Sequence, residues 1–532
     1  MQALLDEGKK MDLAAILAVE TLKTVARPTP VDVQAAKQRA AAAVGCRTLP
    51  RNSDLLRHLG EDAVGLKRLL ITKKTRSLSG VAVVAAMTKP LPCPPQAQCI
   101  YCPGGPAVDT PKSYTGREPA AMRGAQCDYD PYLEATTRLR QLEEMGHGTG
   151  KVEVIVMGGT FTGFPEAYRR WFVKGLYDGL NGGTSSSLEE AIARNEVSQR
   201  RCIGLTIETR PDCLDEQTIS SLLSYGTTRV ELGVQSLDDE VLAEVRRGHT
   251  VSQTAEAFSL SKDAGLKVVA HMMTGLPGSD PCRDLASFRT LFEDERFKPD
   301  MLKVYPTLVV KSAPLHRLYL EGRYRPYTLE ETVELVSRVK GMAPPWLRIM
   351  RVQRDIPACL IEAGTKAGNL RELAKARLEE LGGRCRCIRC REVGLNSVPP
   401  DRLEAFSMKE TRYRASGGEE VFISFEDEGE RIAGFVRLRL PSDPHRPEMD
   451  EGSAIVRELR VYGKLVAVGG KAADGWQHRG LGAALMRRAE EVAAAEYGMK
   501  ELLVTSAVGT RQYYAKLGYY RKGPYMAKRV SA

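Results

Sequence analysis

No stretch of this 532-residue sequence approaches the roughly 18 consecutive apolar residues that a membrane-spanning helix needs. The best apolar run, Val81 to Met87, is far shorter. There is no internal repeat, which sets aside solenoids and other arrays, and no low-complexity tract. With 43% apolar and 27% charged residues, the composition is that of packed domains, and disorder is excluded as the main organisation. The opening residues, MQALLDEGKKMDL, contain acids and lack the apolar centre of a secretory signal, so a cytoplasmic location is expected. At about 150 residues per domain, the length suggests three to four units.

The charge is uneven. Lysine and arginine total 77 against 67 acids, a net +10, yet residues 1–80 alone hold 14 basic and 8 acidic residues. A basic end segment suits a polyanion. On charge alone, a solvated helical surface fits equally well.

Twelve cysteines are present, and in a reducing compartment clustered cysteines mean metal or redox chemistry. One cluster is Cys93, Cys99 and Cys102; another is Cys385, Cys387 and Cys390. Cys46, Cys127, Cys202, Cys213, Cys282 and Cys359 are scattered, and most of these read as small buried side chains.

Residues 1–75 read as helical. From Val81, apolar β-type runs alternate with amphipathic stretches: 81–87, 152–159, 202–209, 229–236, 267–275 and 301–308. Near-continuous apolar strands separated by helices imply a parallel sheet. Six or so such units fit a partial β/α barrel, with chemistry at the C-terminal strand ends. Gly158, Gly159, Glu208, Gln235, His271 and Tyr305 fall there. After residue 400 the pattern becomes alternating strands (420–427, 431–440, 453–463) and a Gly-rich turn into a long helix over 476–498, with Leu481, Leu485, Ala489 and Val492 at helical spacing. This is a separate α+β domain.

In PLPCPPQAQCIYCPGGP, three cysteines share one Pro/Gly loop directly after the first strand. Three thiolates can hold three corners of a 4Fe–4S cube and leave one iron free to chelate S-adenosylmethionine. A structural zinc loop with a distant fourth ligand is the competing reading. A three-cysteine loop in this position resembles the radical S-adenosylmethionine superfamily, with a wider first gap than its usual C-x3-C-x2-C. CIYCPGGP, SYTGREPAAMR, DPY, VIVMGGTF, IETRPD, ELGVQS and KVYPTL together resemble one family within it, the catalytic subunit of Elongator, in a bacterial or archaeal form. The likeness spans nearly the whole chain.

The resemblance implies 4Fe–4S ligation by Cys93, Cys99 and Cys102, and cofactor contacts by Lys151, Gly158, Gly159, Thr160, Glu208, Arg210 and Gln235. It places Lys303 and Tyr305 in the active-site pocket. The two alternate with apolar neighbours and so share a strand face, and a buried lysine needs a partner or an anionic ligand.

RELRVYG followed by QHRGLG resembles the Gcn5-related N-acetyltransferase fold. That likeness implies acetyl-CoA binding. The strand Glu458, Leu459, Arg460, Val461 would pair with the pantetheine arm. Gln477, His478, Arg479, Gly480, Leu481, Gly482, Ala483 and Ala484 would receive the pyrophosphate at a helix N-terminus. Tyr513 and Tyr514 resemble the tail that faces the thioester; core packing is the other reading.

For Cys385, Cys387 and Cys390 the options are zinc, free thiols or a second iron–sulfur cluster. Cys282, His316 and Cys359 are candidate fourth ligands for zinc. Arg384, Arg386, Arg389 and Arg391 beside them contact phosphates or keep a hinge soluble.

The expected architecture is α/β and multidomain: a basic helical tRNA-binding segment (1–75), a partial barrel (76–380), a zinc-binding hinge (381–400) and an acetyltransferase domain (401–532). The family likeness implies a tRNA carboxymethyluridine synthase that joins the methyl carbon of acetyl-CoA to C5 of the wobble uridine. Its implied partners are the tRNA anticodon stem-loop and an electron donor. A protein lysine acetyltransferase with a structural cluster, and a tRNA-binding scaffold, are the alternatives.

Overall fold

The computed structural model describes residues 2–60, 63–71, 80–396, 404–462 and 480–531. The chain forms two compact units, Met1–Ala82 with Thr136–Lys151, and Val83–Ala135 with Val152–Ala532.

In the first unit, helices Gln2–Lys23 and Pro30–Val44 pack through Ala14, Ala15, Ala18, Val19, Leu22, Val33, Ala36 and Ala40. Small side chains allow their axes to approach closely. The second helix starts where Thr29 and Asp32 cap each other's backbone N–H groups, and it ends at Gly45 in the left-handed region, φ 70°. Short helices Asn52–Arg57 and Val64–Leu70 follow.

The second unit holds a seven-stranded sheet in sequential order: β1 (Ala82–Met87), β2 (Lys151–Met157), β3 (Arg201–Thr209), β4 (Arg229–Gln235), β5 (Lys267–Thr274), β6 (Met301–Pro306) and β7 (Arg348–Arg351). From β3 to β7 every pairing is parallel. Helices over 166–181, 216–224, 251–263, 281–293 and 329–341 intervene. This is the open barrel expected from the apolar runs.

The second sheet contains β8 (Ser407–Ala415), β9 (Gly418–Glu426), β10 (Ile432–Leu440), β11 (Ser453–Val461), β12 (Glu501–Val504), β13 (Tyr520–Lys522) and β14 (Tyr525–Arg529), ordered β8-β9-β10-β11-β12-β14-β13. Helix Leu481–Glu491 buries Leu481, Leu485 and Ala489 against the domain core, then loosens into a π turn over Val492–Glu496.

β11 pairs with β12 in parallel only from Ser453 to Val456. A bulge sets Arg437 opposite Glu458 and Leu438 opposite Val456, which leaves Arg457 unpaired on the ladder. The sheet face carrying Arg437, Arg439 and Arg457 is turned to the barrel residues that precede the strands. Arg457 reaches Asp300 and the Leu266 carbonyl, and Arg439 reaches Asp263. Among the described residues, no helix is long and apolar enough to cross a membrane.

Candidate active site at the barrel mouth and the acetyltransferase edge

The loop after β1 is pinned along its length. Gln98 N–H donates to Arg246 O at 3.1 Å, Ile100 N–H to Val245 O at 3.2 Å, and Leu315 N–H to Ile100 O at 2.7 Å. Ile100 and Tyr101 pack with Val241, Val245, Met273, Leu276 and Leu315. The intervening thiols are therefore held half-buried beside the strand ends. Cys93 Sγ lies 3.6 Å from Thr160 Oγ1, Arg247 Nη1 points at Cys99 Sγ at 3.6 Å, and Ser113 N–H donates to Cys102 Sγ at 3.3 Å.

Burial raises the Cys99 thiol, but the Arg247 guanidinium outweighs it and leaves Cys99 below its ordinary value; burial keeps Cys102 above. The three sulfurs do not meet in one spot as ligands of a single ion do, and among the described residues no acid or histidine completes a compact group with them. Half-buried thiols with donors to their sulfurs fit a cluster that spreads its ligands over several irons.

Gly158 and Gly159 follow β2 with φ 129° and 105°. A Cβ on Gly158 would fall 2.0 Å from Thr88 Oγ1, and one on Gly159 would fall 2.9 Å from Lys112 Cβ. Glycine is thus required by the protein's own packing at both positions. Thr160 is buried against Cys93.

Glu208, at the end of β3, accepts the Tyr114 hydroxyl at 3.0 Å. Arg210 is committed to Asp212, with two contacts of 2.9 Å, and to the Arg247 carbonyl; only its buried Nη1 is left without a partner. Gln235 adopts φ 71°. A Cβ on Gly233 would meet Arg247 Nη2 and Gln235 Nε2, so these two side chains converge over the bare glycine. Lys151 is the first residue of β2, at the opposite end of that strand from the glycines.

Inside the barrel, Glu231 of β4 is fully buried and accepts both the Lys303 ammonium and His271 Nε2, the latter at 2.8 Å. Tyr305 stands edge-on to His271, with centroids 5.5 Å apart. Glu231 Oε1 also lies 3.8 Å from Arg229 Nε, and Arg229 pairs with Glu153. Glu153 in turn feels Arg460 and Lys267, and Lys267 feels Glu458. Barrel interiors usually fill with apolar layers; this one carries alternating charges from the mouth to β11. Glu231, Arg247 and Tyr114 escaped the sequence reading. An acid inside the apolar run RVELGV was the available signal for Glu231.

On the acetyltransferase side, β12 leaves β11 after Thr505 N–H donates to Val456 O at 3.0 Å. Among the described residues, no strand pairs with the β12-facing edge of β11 from Arg457 to Val461, which is a place for an added strand-like arm. Glu458 is buried and accepts Arg437 Nε at 3.0 Å; Leu459, Arg460 and Val461 are half-buried. Gly480 caps the following helix at φ 81°, and Ala484 N–H donates to its carbonyl at 2.9 Å. Leu481 is buried, while Gly482 and Ala483 are half-exposed. Gln477, His478 and Arg479 lie outside the described residues. Tyr513 is 40% exposed with its hydroxyl over Gly482, whereas Tyr514 is 7% exposed and sits in the domain core. The two tyrosines therefore separate into one surface group and one packing group.

Cys385, Cys387 and Cys390 bring their sulfurs within 4.8 Å of one another. Their mutual hydrogen bonds push Cys385 up and pull Cys387 down. Cys282, His316 and Cys359 do not join them. Three of the four neighbouring arginines have partners within the protein. Arg384 and Arg386 hold Glu430, and Arg391 donates to the carbonyls of Arg386, Glu430 and Pro345. Among the described residues of this segment, Ile388 N–H donates to Leu347 O and Val393 N–H to Ile432 O. Of the scattered cysteines only Cys127 and Cys202 are buried; Cys282 and Cys359 are exposed, and Cys46 and Cys213 are intermediate.

A partial barrel with a three-cysteine loop, joined to a splayed acetyltransferase sheet, defines a radical S-adenosylmethionine and acetyltransferase fusion. Known families agree. The radical SAM superfamily matches residues 95–288, its C-terminal domain 299–380, and the GNAT acetyltransferase family 392–519. The sequence is 46% identical to a tRNA uridine(34) acetyltransferase of Methanocaldococcus jannaschii over 90% of each chain. It is 44% identical to Elongator complex protein 3 of Drosophila melanogaster over 96% of this chain and 95% of that one. The solved structure of archaeal Methanocaldococcus infernus Elp3 with an N-terminal deletion superimposes with a TM-score of 0.76 at 42% identity, covering 85% of this chain and all of that one. The chain belongs to the Elongator complex protein 3 family.

Proposed function

We propose that this protein attaches the methyl carbon of acetyl-CoA to C5 of the wobble uridine of tRNA and, by thioester hydrolysis, leaves a carboxymethyl group. The observation that carries this reading is that both halves of such a reaction lie in one compact unit. The three-thiol loop sits over the barrel mouth, and a strand edge open to a pantetheine arm sits at the other end of the charged lumen.

In this reading Cys93, Cys99 and Cys102 hold a 4Fe–4S cluster. When bound, the cluster and S-adenosylmethionine supply a 5′-deoxyadenosyl radical that takes a hydrogen from the acetyl methyl. Gly158, Gly159, Thr160, Glu208, Arg210 and Gln235 frame the S-adenosylmethionine site, and Arg247 donates to Cys99 beside it. Residues 458–461 and 480–484 position acetyl-CoA, with Gln477, His478 and Arg479 at the turn and Lys151 as an added contact. Tyr513 faces the thioester. Lys303 and Tyr305 present polar groups to a uracil that must leave its stack to reach them. The basic N-terminal segment holds tRNA phosphates in register. An electron donor is required, and the setting is cytoplasmic. Cys385, Cys387 and Cys390 hold a structural zinc with one further ligand.

The test is anaerobic reconstitution with iron and sulfide, then incubation with tRNA, a reductant, S-adenosylmethionine and carbon-labelled acetyl-CoA. Label in a uridine derivative, seen by nucleoside mass spectrometry and lost in Cys99→Ser, is the expected result. Thioester hydrolysis stimulated by tRNA with no labelled nucleoside overturns the proposal.

A further inference from the structure

Joining a carbon to C5 of uracil creates a need that the residues so far assigned do not meet: the hydrogen already on C5 has to leave as a proton. The group that takes it has to be an unprotonated base within reach of the barrel mouth. Lys303 is unsuitable because burial, which lowers an ammonium, is outweighed by Glu231, and it stays protonated. Burial pushes the phenols of Tyr114 and Tyr305 up, so both keep their protons. Arg229 and Arg247 remain cations. Glu208 already accepts the Tyr114 hydroxyl.

His271 is different. Its Nε2 lies 2.8 Å from Glu231 Oε2, and a carboxylate only accepts, so Nε2 carries the hydrogen and Nδ1 is left with a free lone pair. Burial and the neighbouring Lys303 hold the ring neutral. The side chain is 13% exposed while the carboxylate behind it is not exposed at all, so the ring opens from the barrel interior toward the mouth. The register sets His271 beside Lys303 on the adjacent strand, and Tyr305, two residues further along that strand, meets the His271 ring edge-on at 88°. Glu208, Glu231 and His271 have donor atoms close enough for a metal ion. The Lys303 ammonium on Glu231 already supplies the cation there.

We propose that His271, oriented by Glu231, is the base that accepts the C5 proton of the uridine, an inference that rests on the function proposed above. The acetyl-derived carbon bonds to C5, leaving an unpaired electron at C6. That electron would pass to a one-electron oxidant, a capacity that the oxidised iron–sulfur cluster would supply when held by Cys93, Cys99 and Cys102. The C5–H bond then breaks, its electron pair restores the C5–C6 double bond, and the proton goes to Nδ1. The imidazolium so formed lies against the Glu231 carboxylate. A ring cation sheds this proton readily, so a weak base held neutral is sufficient.

The experiment uses the reconstituted full-length protein with tRNA carrying hydrogen or deuterium at C5 of uridine 34. His271→Gln keeps a donor toward Glu231 and removes the base; His271→Asn is the second variant. Iron content and S-adenosylmethionine binding are measured first to establish that each variant is assembled. The expected result is a modified-uridine yield lower by roughly 10²-fold, continued formation of 5′-deoxyadenosine, and a C5 deuterium effect that the parent lacks. Parallel loss of 5′-deoxyadenosine and nucleoside, or a deuterium effect unchanged from the parent, overturns the role of His271. A parent protein that yields no modified uridine overturns the functional reading itself, so the two failures are distinct.

Discussion

Arg457 of β11 clasps Asp300, the residue before β6, through contacts of 2.6 and 2.7 Å, and neither side chain has any exposure. Asp300 also lies near Arg437, and its Oδ2 accepts the Val268 N–H at the start of β5. One carboxylate thus ties the acetyltransferase sheet to two barrel strands. Burial alone would raise its pKa, but Arg457 and Arg437 hold it well below the usual carboxylate range. Removing one partner of a buried pair leaves an uncompensated charge, at a cost of about 3–5 kcal/mol. Asp300→Asn is expected to lower the urea midpoint accordingly and to split unfolding into two transitions. Because the folded pKa is depressed, this stabilisation is complete above the unfolded value of about 3.9 and fades as pH falls below it. A variant that unfolds at the parent midpoint would show that the two halves are held elsewhere.

The contrast between this pair and the cysteine loop shows where sequence reading reaches. Cys93, Cys99 and Cys102 lie within ten positions, and a local motif declares its chemistry through spacing. Barrel strands such as β4 and β6 are legible because they bury both faces and so read as near-continuous apolar runs. Arg437 and Arg439 alternate with Val436 and Leu438, a pattern that reads as a wet face opposite a dry one. Both faces are in fact dry, because the arginines meet Asp300 and Asp263, the latter 176 positions away in sequence. The same blindness hid Glu231. Its partners His271 and Lys303 lie 40 and 72 positions on, and strand register, not local pattern, brings them together. Tyr513 and Tyr514 look equivalent as a dipeptide; helical geometry sends them to different surroundings.

Glu134 gives a pH signature. Its carboxyl receives the Met87 N–H at 2.9 Å on Oε2, while Oε1 is buried with no partner. Burial outweighs that hydrogen bond and pushes the group up to about 8. The folded state therefore holds this proton while the unfolded chain, with a value of about 4.3, has lost it. Stability falls as pH rises between those values. Glu134→Gln keeps the shape and removes the titration. The variant is expected to gain on the parent by at most about 1.4 kcal/mol per pH unit across that window, and to be the more stable protein above pH 8. Denaturant unfolding at pH 6, 7, 8 and 9 measures this; parallel profiles would place the titration elsewhere.

The thiol group at residues 385–390 is tested by metal content. If it holds zinc, the protein purified in air carries about one zinc per chain, and Cys390→Ser loses it without lowering iron uptake by the loop at residues 93–102. Since Cys387 is fully buried and the adjoining Ile388 is bonded to Leu347, metal removal by a chelator is expected to lower the melting temperature as well. Zinc-free protein with unchanged melting would make these thiols a packing feature.

Tyr513 and Tyr514 divide by environment. The Tyr513 hydroxyl stands over Gly482 at the start of the helix Leu481–Glu491, and the residue is 40% exposed. Tyr514 packs with Leu485, Met486 and Val504 in the core. A hydroxyl that meets a thioester contributes roughly 10²-fold to its turnover when placed as a proton donor, whereas a core ring contributes through its bulk. Tyr513→Phe is therefore expected to slow tRNA-stimulated acetyl-CoA hydrolysis by about that factor with an unchanged melting temperature. Tyr514→Phe should leave the rate within about twofold, and Tyr514→Ala should cost about 3–5 kcal/mol of stability. The reverse pattern, a slow Tyr514→Phe beside a normal Tyr513→Phe, would mean that the thioester reaches the buried ring, and the core around Leu485 would then have to open to admit it.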